Sequence, residues 1–271
     1  MRVQYLIIYF SIFICGCRSV QNTDSDPIPV HDSLTISSNL LNENRVINIW
    51  LPEIYKQSTD SLTVLYMADG GVKEDFPHIA NTLEKLINEG KIRPLILVGI
   101  ENTIRRRDLT PITEVEKDKE VAPVVGGSEK FRAFIKQELI PEIDKRYRTR
   151  AERGIIGESL AGLFVMETFF TEPTLFTHYI AFDPSLWWNN HYLNRNAASL
   201  YDLADSTNLW FAGSSAEDIS IYTNELEQIL KSNTVKRLKW HYSDEPTEKH
   251  NTIFRATKEK ALLWTFGLAE K

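Results

Sequence analysis

Ser159 lies in the stretch 157–162 (GESLAG), at the point where one sequence pattern gives way to another. An apolar pair, Ile155 and Ile156, comes before it, and the residues after it have the apolar spacing of a helix. A strand, a sharp turn and a helix in that order are the context of a nucleophile elbow, which lifts a serine hydroxyl above a sheet. Gly157 supplies the small neighbour that such a turn needs. The alternative is a serine that caps an ordinary helix.

His250 is the best placed of the six histidines to act as a base for Ser159. A serine hydroxyl is a poor nucleophile until a base takes its proton. In the chain order serine, acid, histidine, the base follows the last strand, and His250 lies in the polar loop 243–251 at that place. The other histidines fall in an N-terminal tether, at a helix start, in or beside strands, or after a tryptophan pair. A solvated loop histidine is the alternative.

The acid that would orient this histidine is expected in the loop 213–218, after the predicted strand 209–212. A carboxylate there would hold the imidazole of His250 in one tautomer and stabilise its charged form. We predict Glu217 for this role, because Asp218 stands directly before a helical pattern and is suited to cap that helix. The alternative is that both carboxylates cap the helix.

Two backbone N–H groups are expected to bind the oxyanion of an acyl-transfer reaction. One is the amide of Leu160, directly after the nucleophile, and the other belongs to the loop after an early strand. Gly70 and Gly71 lie in that loop, where the absence of side chains lets backbone amides approach a ligand closely. A simple tight turn is the alternative for the glycine pair.

Strand and helix patterns alternate through most of the chain. The predicted strands are 45–52, 62–67, 95–100, the residues before Gly157, 179–182, 209–212 and 237–242; the predicted helices are 79–87, 128–147, the segment after Ser159, 222–230 and 252–266. This alternation predicts the α/β class, with a mostly parallel sheet covered by helices on both faces. Ligands of such sheets bind at the carboxyl ends of the strands. The residues just past predicted strand ends are Gly70, Gly71, Ser159, Asp183, Glu217 and His250.

The N-terminal region has the features of export and lipid attachment. An apolar run, 5–14, is too short to span a membrane and suits the core of a signal peptide. It ends in ICGC, which looks like a bacterial lipobox with Cys17 as the lipidated residue. We predict a signal peptide over 1–16, a flexible tether over 17–33 and one domain over 34–271. The lipid would anchor the chain to a membrane of the cell envelope, on its periplasmic or surface face. A plain secretory signal is the alternative.

Composition and charge argue against several other classes of protein. The formal net charge is −6 and no basic stripe is present, so nucleic acid is not an expected partner. The sequence has no metal-ligand cluster and no phosphate-binding glycine loop, so no metal and no cofactor are expected. After cleavage before Cys17 one cysteine would remain, and stability would have to come from the core rather than from an intramolecular disulfide.

From about residue 45 to residue 266, the chain resembles the "Putative esterase" family of α/β-hydrolases, which is related to esterase D. The resemblance rests on several motifs taken together. They are VLYMADGG at 64–71, VGIEN at 98–102 with RDLTP at 107–111, GESLAGLF at 157–164 and FDPSLWW at 182–188. The family includes ferri-siderophore esterases and esterases of acetylated or feruloylated carbohydrates.

The resemblance implies the α/β-hydrolase fold, Ser159 as nucleophile, His250 as base and an acid in the loop 213–218. The sequence departs from the family at Glu158, where histidine is common, and at Ala161, which replaces a glycine. Glu158 places a carboxylate beside the nucleophile, where it can raise the pKa of neighbouring groups.

Two further groups of residues are candidates for substrate binding. Arg107, in the arginine run 105–107, could bind a catecholate or carboxylate. The alternative is a solvated loop in which Arg107 pairs with Asp108 or another acid. Trp187 and Trp188 could stack on a sugar or an aromatic acyl group. The alternative is a packed corner for at least one of them.

Together these features predict a serine hydrolase that cleaves a carboxylic ester through an acyl-enzyme intermediate. The expected substrate is a small-molecule or glycan ester, either a siderophore or an acylated carbohydrate. The alternative is a lipid-anchored binding protein that has kept the fold and lost turnover.

Overall fold

The computed structural model describes residues 26–197 and 203–268, and these form one eight-stranded sheet with its covering helices. The strands are β1 (Asp32–Ser38), β2 (Glu43–Trp50), β3 (Leu62–Met67), β4 (Leu95–Ile100), β5 (Thr149–Glu158), β6 (His178–Phe182), β7 (Thr207–Gly213) and β8 (Leu238–Asp244). Their order in the sheet is β1-β2-β4-β3-β5-β6-β7-β8. β1 and β2 pair antiparallel, β2 and β4 likewise, and every other pair is parallel. The predicted α/β class with a mostly parallel sheet is confirmed.

Helices connect the parallel strands and cover both faces of the sheet. They are α1 (Ile54–Gln57), α2 (Phe76–Asn88), α3 (Arg105–Leu109), α4 (Glu116–Val121), α5 (Ser128–Phe134), a π-helical turn (Ile135–Leu139), α6 (Ile140–Arg146), α7 (Leu160–Thr171), α8 (Trp188–Ala197), α9 (Glu217–Ser232) and α10 (Ile253–Phe266). α2 and α10 pack on one face, whereas α5, α6, α7 and α9 pack on the other. Within residues 26–197 and 203–268, no helix is long and apolar enough to cross a bilayer.

The central strands are buried on both faces, and their side chains contribute to two separate cores. Along β3, Val64 and Tyr66 belong to the core with α5, α7 and α9, whereas Leu65 and Met67 belong to the core with α2 and α10. Successive side chains of a strand point to opposite faces, so a continuous apolar run fills both cores. The sheet is thereby fixed between its helical layers, and so are the ends of its strands.

The N-terminal boundary of the domain lies earlier than predicted. β1 begins at Asp32, inside the predicted tether 17–33, and Asp26 forms an ion pair of 2.6 Å with Arg255 of α10. The sequence pattern does not predict β1, because its residues (DSLTISS) are mostly polar and it is an edge strand that pairs only with β2. The predicted signal peptide and Cys17 lie outside the described residues.

Candidate active site

Ser159 occupies a strained turn between the end of β5 and the start of α7. Its backbone angles are φ 59° and ψ −119°, which few residues other than glycine adopt. Its N–H donates to the carbonyl of Phe182 over 3.0 Å, and its own carbonyl accepts from Leu163 over 2.8 Å, so both sides of the turn are held. A Cβ at Gly157 would lie 2.7 Å from the backbone of Ala161, which explains the glycine. The predicted strand, sharp turn and helix are all present.

His250 connects the serine to a buried carboxylate. Its Nε2 lies 3.1 Å from Ser159 Oγ, and its Nδ1 lies 2.9 Å from Asp183 Oδ2. An ionised carboxylate can only accept hydrogen bonds, so Nδ1 is the ring nitrogen that donates. Nε2 is then free to accept the proton of the serine hydroxyl. Ser159, His250 and Asp183 therefore form the hydrogen-bonded arrangement of a serine-hydrolase triad.

The prediction that Glu217 is the partner of His250 is wrong, because Asp183 occupies that position. Asp183 follows β6, the strand next to β5, and its carboxylate is fully buried. Ser214 donates to it twice, from its N–H and from its hydroxyl, each over 2.6 Å. Glu217 instead begins α9 and is exposed at the protein surface. The N-cap of α9 is Ala216, so Asp218 lies in the first turn and does not have the capping role predicted for it.

The charges around His250 favour its protonated form. The hydrogen bond to Asp183 raises the pKa of the imidazole, and the negative charges of Asp183, Glu158 and Asp218 act in the same direction. Glu158 has an unusual pKa itself: burial raises it to about 7, and the nearby charges of Asp75 and Asp183 add to the shift. The departure from the family pattern at Glu158 therefore places a second titrating group beside the nucleophile.

The predicted oxyanion donors differ in their availability. Leu160 is the first residue of α7, where a backbone N–H has no acceptor within the helix. Gly70 does not fit the prediction, because its N–H donates to the carbonyl of Ile100 over 3.0 Å and extends the pairing of β3 with β4. A Cβ at Gly70 would lie 2.2 Å from the Ile100 nitrogen, so close backbone approach, not ligand binding, requires this glycine.

The N–H of Gly71 is occupied by a side chain of its own loop. It donates to Glu74 Oε2 over 2.7 Å, and Asn102 Nδ2 donates to the other carboxylate oxygen over 2.8 Å. Burial raises the pKa of Glu74. In this arrangement the amide of Gly71 can reach an oxyanion only if the Glu74 side chain moves.

The predicted binding of an anion by Arg107 is wrong, because acidic side chains of the protein already neutralise this residue. Its guanidinium lies 2.7 Å from Asp108 Oδ1 and 2.7 Å from Glu43 Oε1. Arg105 is committed in the same way, with its Nε 2.6 Å and its Nη2 2.7 Å from the two carboxylate oxygens of Asp69. These ion pairs connect α3 to the segment after β3 and to β2, so neither guanidinium is a free cation.

The two tryptophans have different environments. Trp188 is fully buried and donates from Nε1 to the carbonyl of Pro111 over 3.3 Å, so the prediction that it binds substrate is wrong. Trp187 is half-buried and lines an open cleft of about 790 Å³. The cleft lies between the segments of α4, α8 and α9, and Glu217 is on its wall.

The sequence is similar to one family of esterases and to individual siderophore esterases. Residues 38–271 match the model of the family described as "Putative esterase". Ferri-bacillibactin esterase BesA of Bacillus subtilis is 30% identical over 215 residues, which are 70% of this chain and 69% of that protein. Apo-salmochelin esterase of Escherichia coli is 25% identical over 222 residues, which are 74% of this chain and 68% of that protein.

Solved structures show the same architecture. An IroE-like serine hydrolase from Shewanella oneidensis superimposes with a TM-score of 0.78 at 28% identity, over 88% of this chain and 80% of that chain. The BES protein from Bacillus cereus superimposes with a TM-score of 0.76 at 21% identity, over 98% of this chain and all (100%) of that chain. The first of these similarities extends to the serine-hydrolase class, whereas the second shows the fold alone.

Proposed function

Since the chain belongs to the "Putative esterase" family, we propose that it cleaves siderophore esters through an acyl-enzyme intermediate on Ser159. It is an esterase with the α/β-hydrolase fold. The observation that carries the assignment of the nucleophile is the continuous hydrogen-bonded chain from Ser159 through His250 to Asp183. This chain also argues against the alternative of a binding protein without turnover, because such a protein has no need of a complete triad.

In the first half of the proposed reaction, Ser159 Oγ attacks the ester carbonyl carbon while His250 Nε2 takes the hydroxyl proton. The carbonyl π electrons move to oxygen and form the tetrahedral oxyanion. When this intermediate collapses, the bond to the alcohol oxygen breaks and His250 returns the proton to that oxygen. The alcohol leaves, and the acyl group remains on Ser159. A water molecule then repeats the sequence and releases the carboxylic acid.

Asp183 is proposed to fix the imidazole and stabilise its positive charge during each proton transfer. Its two hydrogen bonds from Ser214 leave the carboxylate little freedom to turn away. These hydrogen bonds also give each of the two buried carboxylate oxygens a donor.

The oxyanion is proposed to bind the N–H of Leu160 and the N–H of Gly71. The first is at the start of α7, where the helix leaves its amide without an acceptor. The second becomes available when the carboxylate of Glu74, which accepts its hydrogen bond over 2.7 Å, turns away. Two donors pointing at the developing charge would supply most of the electrostatic stabilisation of the transition state.

The proposed substrate class rests on the relatives. The similar curated proteins are named esterases of ferri-bacillibactin and apo-salmochelin. These names support a siderophore ester more than an acylated carbohydrate. Trp187, on the wall of the open cleft, is suited to contact an aromatic group of such a substrate.

The cellular location is a separate proposal. The lipobox-like sequence before Cys17 supports lipidation of that residue and attachment to a membrane of the cell envelope, on its periplasmic or surface face. Mass spectrometry of the native N-terminus tests it. An unmodified chain that begins at another residue would contradict it.

The proposed activity is tested by labelling the protein with a fluorophosphonate and measuring release of acid from three substrates. These are a tris-catecholate trilactone siderophore, an acetylated or feruloylated glycan, and a simple acyl ester. We expect the label on Ser159, no label in Ser159→Ala, and the highest kcat/KM for the siderophore. A faster reaction with the glycan would replace the proposed substrate class, and a label on another residue would replace the nucleophile.

A further inference from the structure

The open cleft beside the triad has an apolar wall and an acidic rim. Trp187, Tyr222, Ile221 and Val121 form much of the wall, and the exposed fractions of Ile221 and Val121 are 54% and 37%. Exposed aliphatic and aromatic side chains that converge on a concave surface are typical of a small-molecule site. The volume, about 790 Å³, suits one large ligand group.

The cleft is directly connected to the catalytic residues through the chain. Ser185 donates from its N–H to the carbonyl of Ser159 over 3.2 Å, and Trp187 follows two residues later. Further along the chain, Ser214 donates a hydrogen bond to Asp183, and α9 begins soon after it, at Glu217. Asp218, on the wall of the cleft, lies close enough to the triad for its negative charge to raise the pKa of the His250 imidazole.

The charge of the cleft is negative. Glu217 and Asp218 project from the first turn of α9 and have no ion pair or side-chain hydrogen bond within the described part of the chain. Asp118 contributes a third carboxylate, although it is buried and accepts hydrogen bonds from Thr113 and the backbone of Asn189, over 2.6 Å and 2.7 Å. Lys117 lies on the same wall and offsets only part of this charge.

Two arginines of the run 105–107 are not free to bind an anion, and the third, the exposed Arg106, does not line the cleft. Arg105 is paired with Asp69, and Arg107 is paired with Asp108 and Glu43. An anionic ligand would have to break these ion pairs before either guanidinium could bind it. The acidic lining of the cleft therefore favours neutral and positively charged groups.

The wall of the cleft also contains a strained backbone segment. Asn189, Asn190 and His191 have φ values of 50°, 52° and 46°, three successive non-glycine residues in the left-handed region. Such strain persists only where the surroundings enforce it, and it concentrates at functional sites. Here the N–H of His191 donates to the carbonyl of Trp187 over 3.1 Å, so the strained turn fixes the backbone that carries the tryptophan.

We propose that this cleft binds the part of the substrate beyond the scissile ester, accepting a neutral or cationic aromatic group and rejecting an anionic one. The inference rests on the proposed esterase function and specifies its substrate. Among catecholate siderophores, it selects the iron-free compound with protonated phenols over the strongly anionic ferric complex. Glu217 and Asp218 supply the repulsion, and Trp187 supplies the aromatic contact.

The test uses synthetic esters that share one scissile bond and differ in a remote aromatic substituent. The three substituents are carboxylate, methyl and trimethylammonium. A tris-catecholate trilactone, with and without Fe(III), is measured as a separate pair. We expect the kcat/KM of the wild-type protein to be about 10-fold lower for the carboxylate than for the methyl ester. This ratio should approach one as ionic strength rises, because salt screens exposed charges.

The double variant Glu217→Gln/Asp218→Asn should raise the ratio of kcat/KM for anionic to neutral esters about 10-fold. A matched control, Glu84→Gln/Glu129→Gln, removes the same formal charge at exposed positions outside the cleft and should not change this ratio. An equal change in both double variants, or no change in the first, would overturn the inference.

The aromatic contact has its own test. Trp187→Ala should lower kcat/KM about 10-fold for the methyl-substituted aromatic ester and much less for an acetyl ester with no remote group. Equal losses with both would overturn the role of the tryptophan.

If esters of every charge are hydrolysed equally well, the selectivity fails while the esterase function stands. If no ester is hydrolysed and Ser159 is not labelled, the proposed function itself fails.

Discussion

The two halves of the active site differ in how ready they are for the reaction. On the side of β5, β6 and β8, Ser159, His250 and Asp183 already form a continuous chain with separations of 3.1 Å and 2.9 Å. On the side of β3, the loop that should supply the second oxyanion donor has its Gly71 amide bonded to Glu74 over 2.7 Å. Proton transfer is preorganised, whereas stabilisation of the oxyanion is not.

The physical origin of the difference lies in what each half must stabilise. The buried carboxylate of Asp183 gains from a neighbouring imidazolium, and the strand ends hold both groups at fixed positions. An oxyanion hole without substrate has free N–H donors, and unpaired donors are costly unless another group satisfies them. The carboxylate of Glu74 satisfies one of these donors, the N–H of Gly71. The comparison therefore predicts large effects from changes to the triad and a small effect of opposite sign from a change to Glu74.

The largest effect is expected from Ser159→Ala. We predict a loss of at least ~10⁴-fold in kcat, because the members of a triad act as a unit. The melting temperature should stay close to that of the unmodified protein, since among the described residues the hydroxyl bonds only to a partly exposed histidine. Ser232→Ala, on the exposed end of α9, is a matched control. Near-native turnover in Ser159→Ala would show that the nucleophile is another residue.

The next prediction compares Asp183, the acid in the structure, with Glu217, the acid predicted from the sequence. Asp183→Asn should lower kcat by roughly 10⁴-fold, because an amide holds the imidazole in the wrong tautomer. Glu217→Gln should lower the kcat/KM for a neutral ester by less than ~10-fold, because Glu217 is exposed on α9. Steady-state kinetics of both variants decide the assignment. The reverse order of losses would return the acid role to Glu217.

This assignment shows what the sequence could predict and what it could not. The strand–turn–helix pattern around Ser159 and the loop position of His250 are local features, and both predictions agree with the observed elbow and hydrogen bond. The choice between the loop after β6 and the loop after β7 depends on packing. The sequence places Asp183 just past a predicted strand end, but its hydrogen bond with His250, its burial and the hydrogen bonds from Ser214 are seen only in the structure.

The remaining errors have similar causes. Two adjacent tryptophans have identical chemistry, and only the fold buries Trp188 while leaving Trp187 on the cleft. Two adjacent glycines likewise differ in function, because Gly70 continues a sheet hydrogen bond and Gly71 does not. Composition and periodicity identify elements, but they do not identify which neighbour receives a hydrogen bond. Sheet order and side-chain partners therefore had to come from the structure.

A moderate effect is expected on the pH dependence. His250 must be neutral to accept a proton, so kcat/KM should rise with pH through the pKa of the imidazole. The hydrogen bond to Asp183 raises this pKa, which places the midpoint above the usual value of about 6.5. The negative charge of Glu158 adds to the shift, so Glu158→Gln should move the midpoint to lower pH. A profile that is flat from about pH 5 to 8, where histidine titrates, would contradict His250 as the base.

The smallest effect, and the one with the opposite sign, is expected from Glu74. Glu74→Ala removes the acceptor from Gly71 and should raise kcat/KM by a factor of about 3, because the freed N–H can bind the oxyanion. The same change removes a hydrogen bond that closes the turn from Gly71 to Glu74, so the free energy of unfolding should fall by about 1 kcal/mol.

Glu74→Gln separates the hydrogen bond from the charge. Its amide oxygen can still accept from the Gly71 N–H, while the negative charge that opposes an oxyanion is gone. We therefore expect its kcat/KM to lie between those of the wild type and Glu74→Ala. Its stability should lie between theirs as well, because one amide oxygen replaces the two carboxylate oxygens that accept from Gly71 and Asn102. Measuring kcat, KM and chemical denaturation for all three proteins distinguishes the possible roles. A loss of more than about 10-fold in kcat for Glu74→Ala, with Glu74→Gln near wild type, would mean that Glu74 orders the loop for catalysis. In that case the bond from Gly71 to Glu74 belongs to the active arrangement, and the second oxyanion donor is a different amide of the β3–α2 loop.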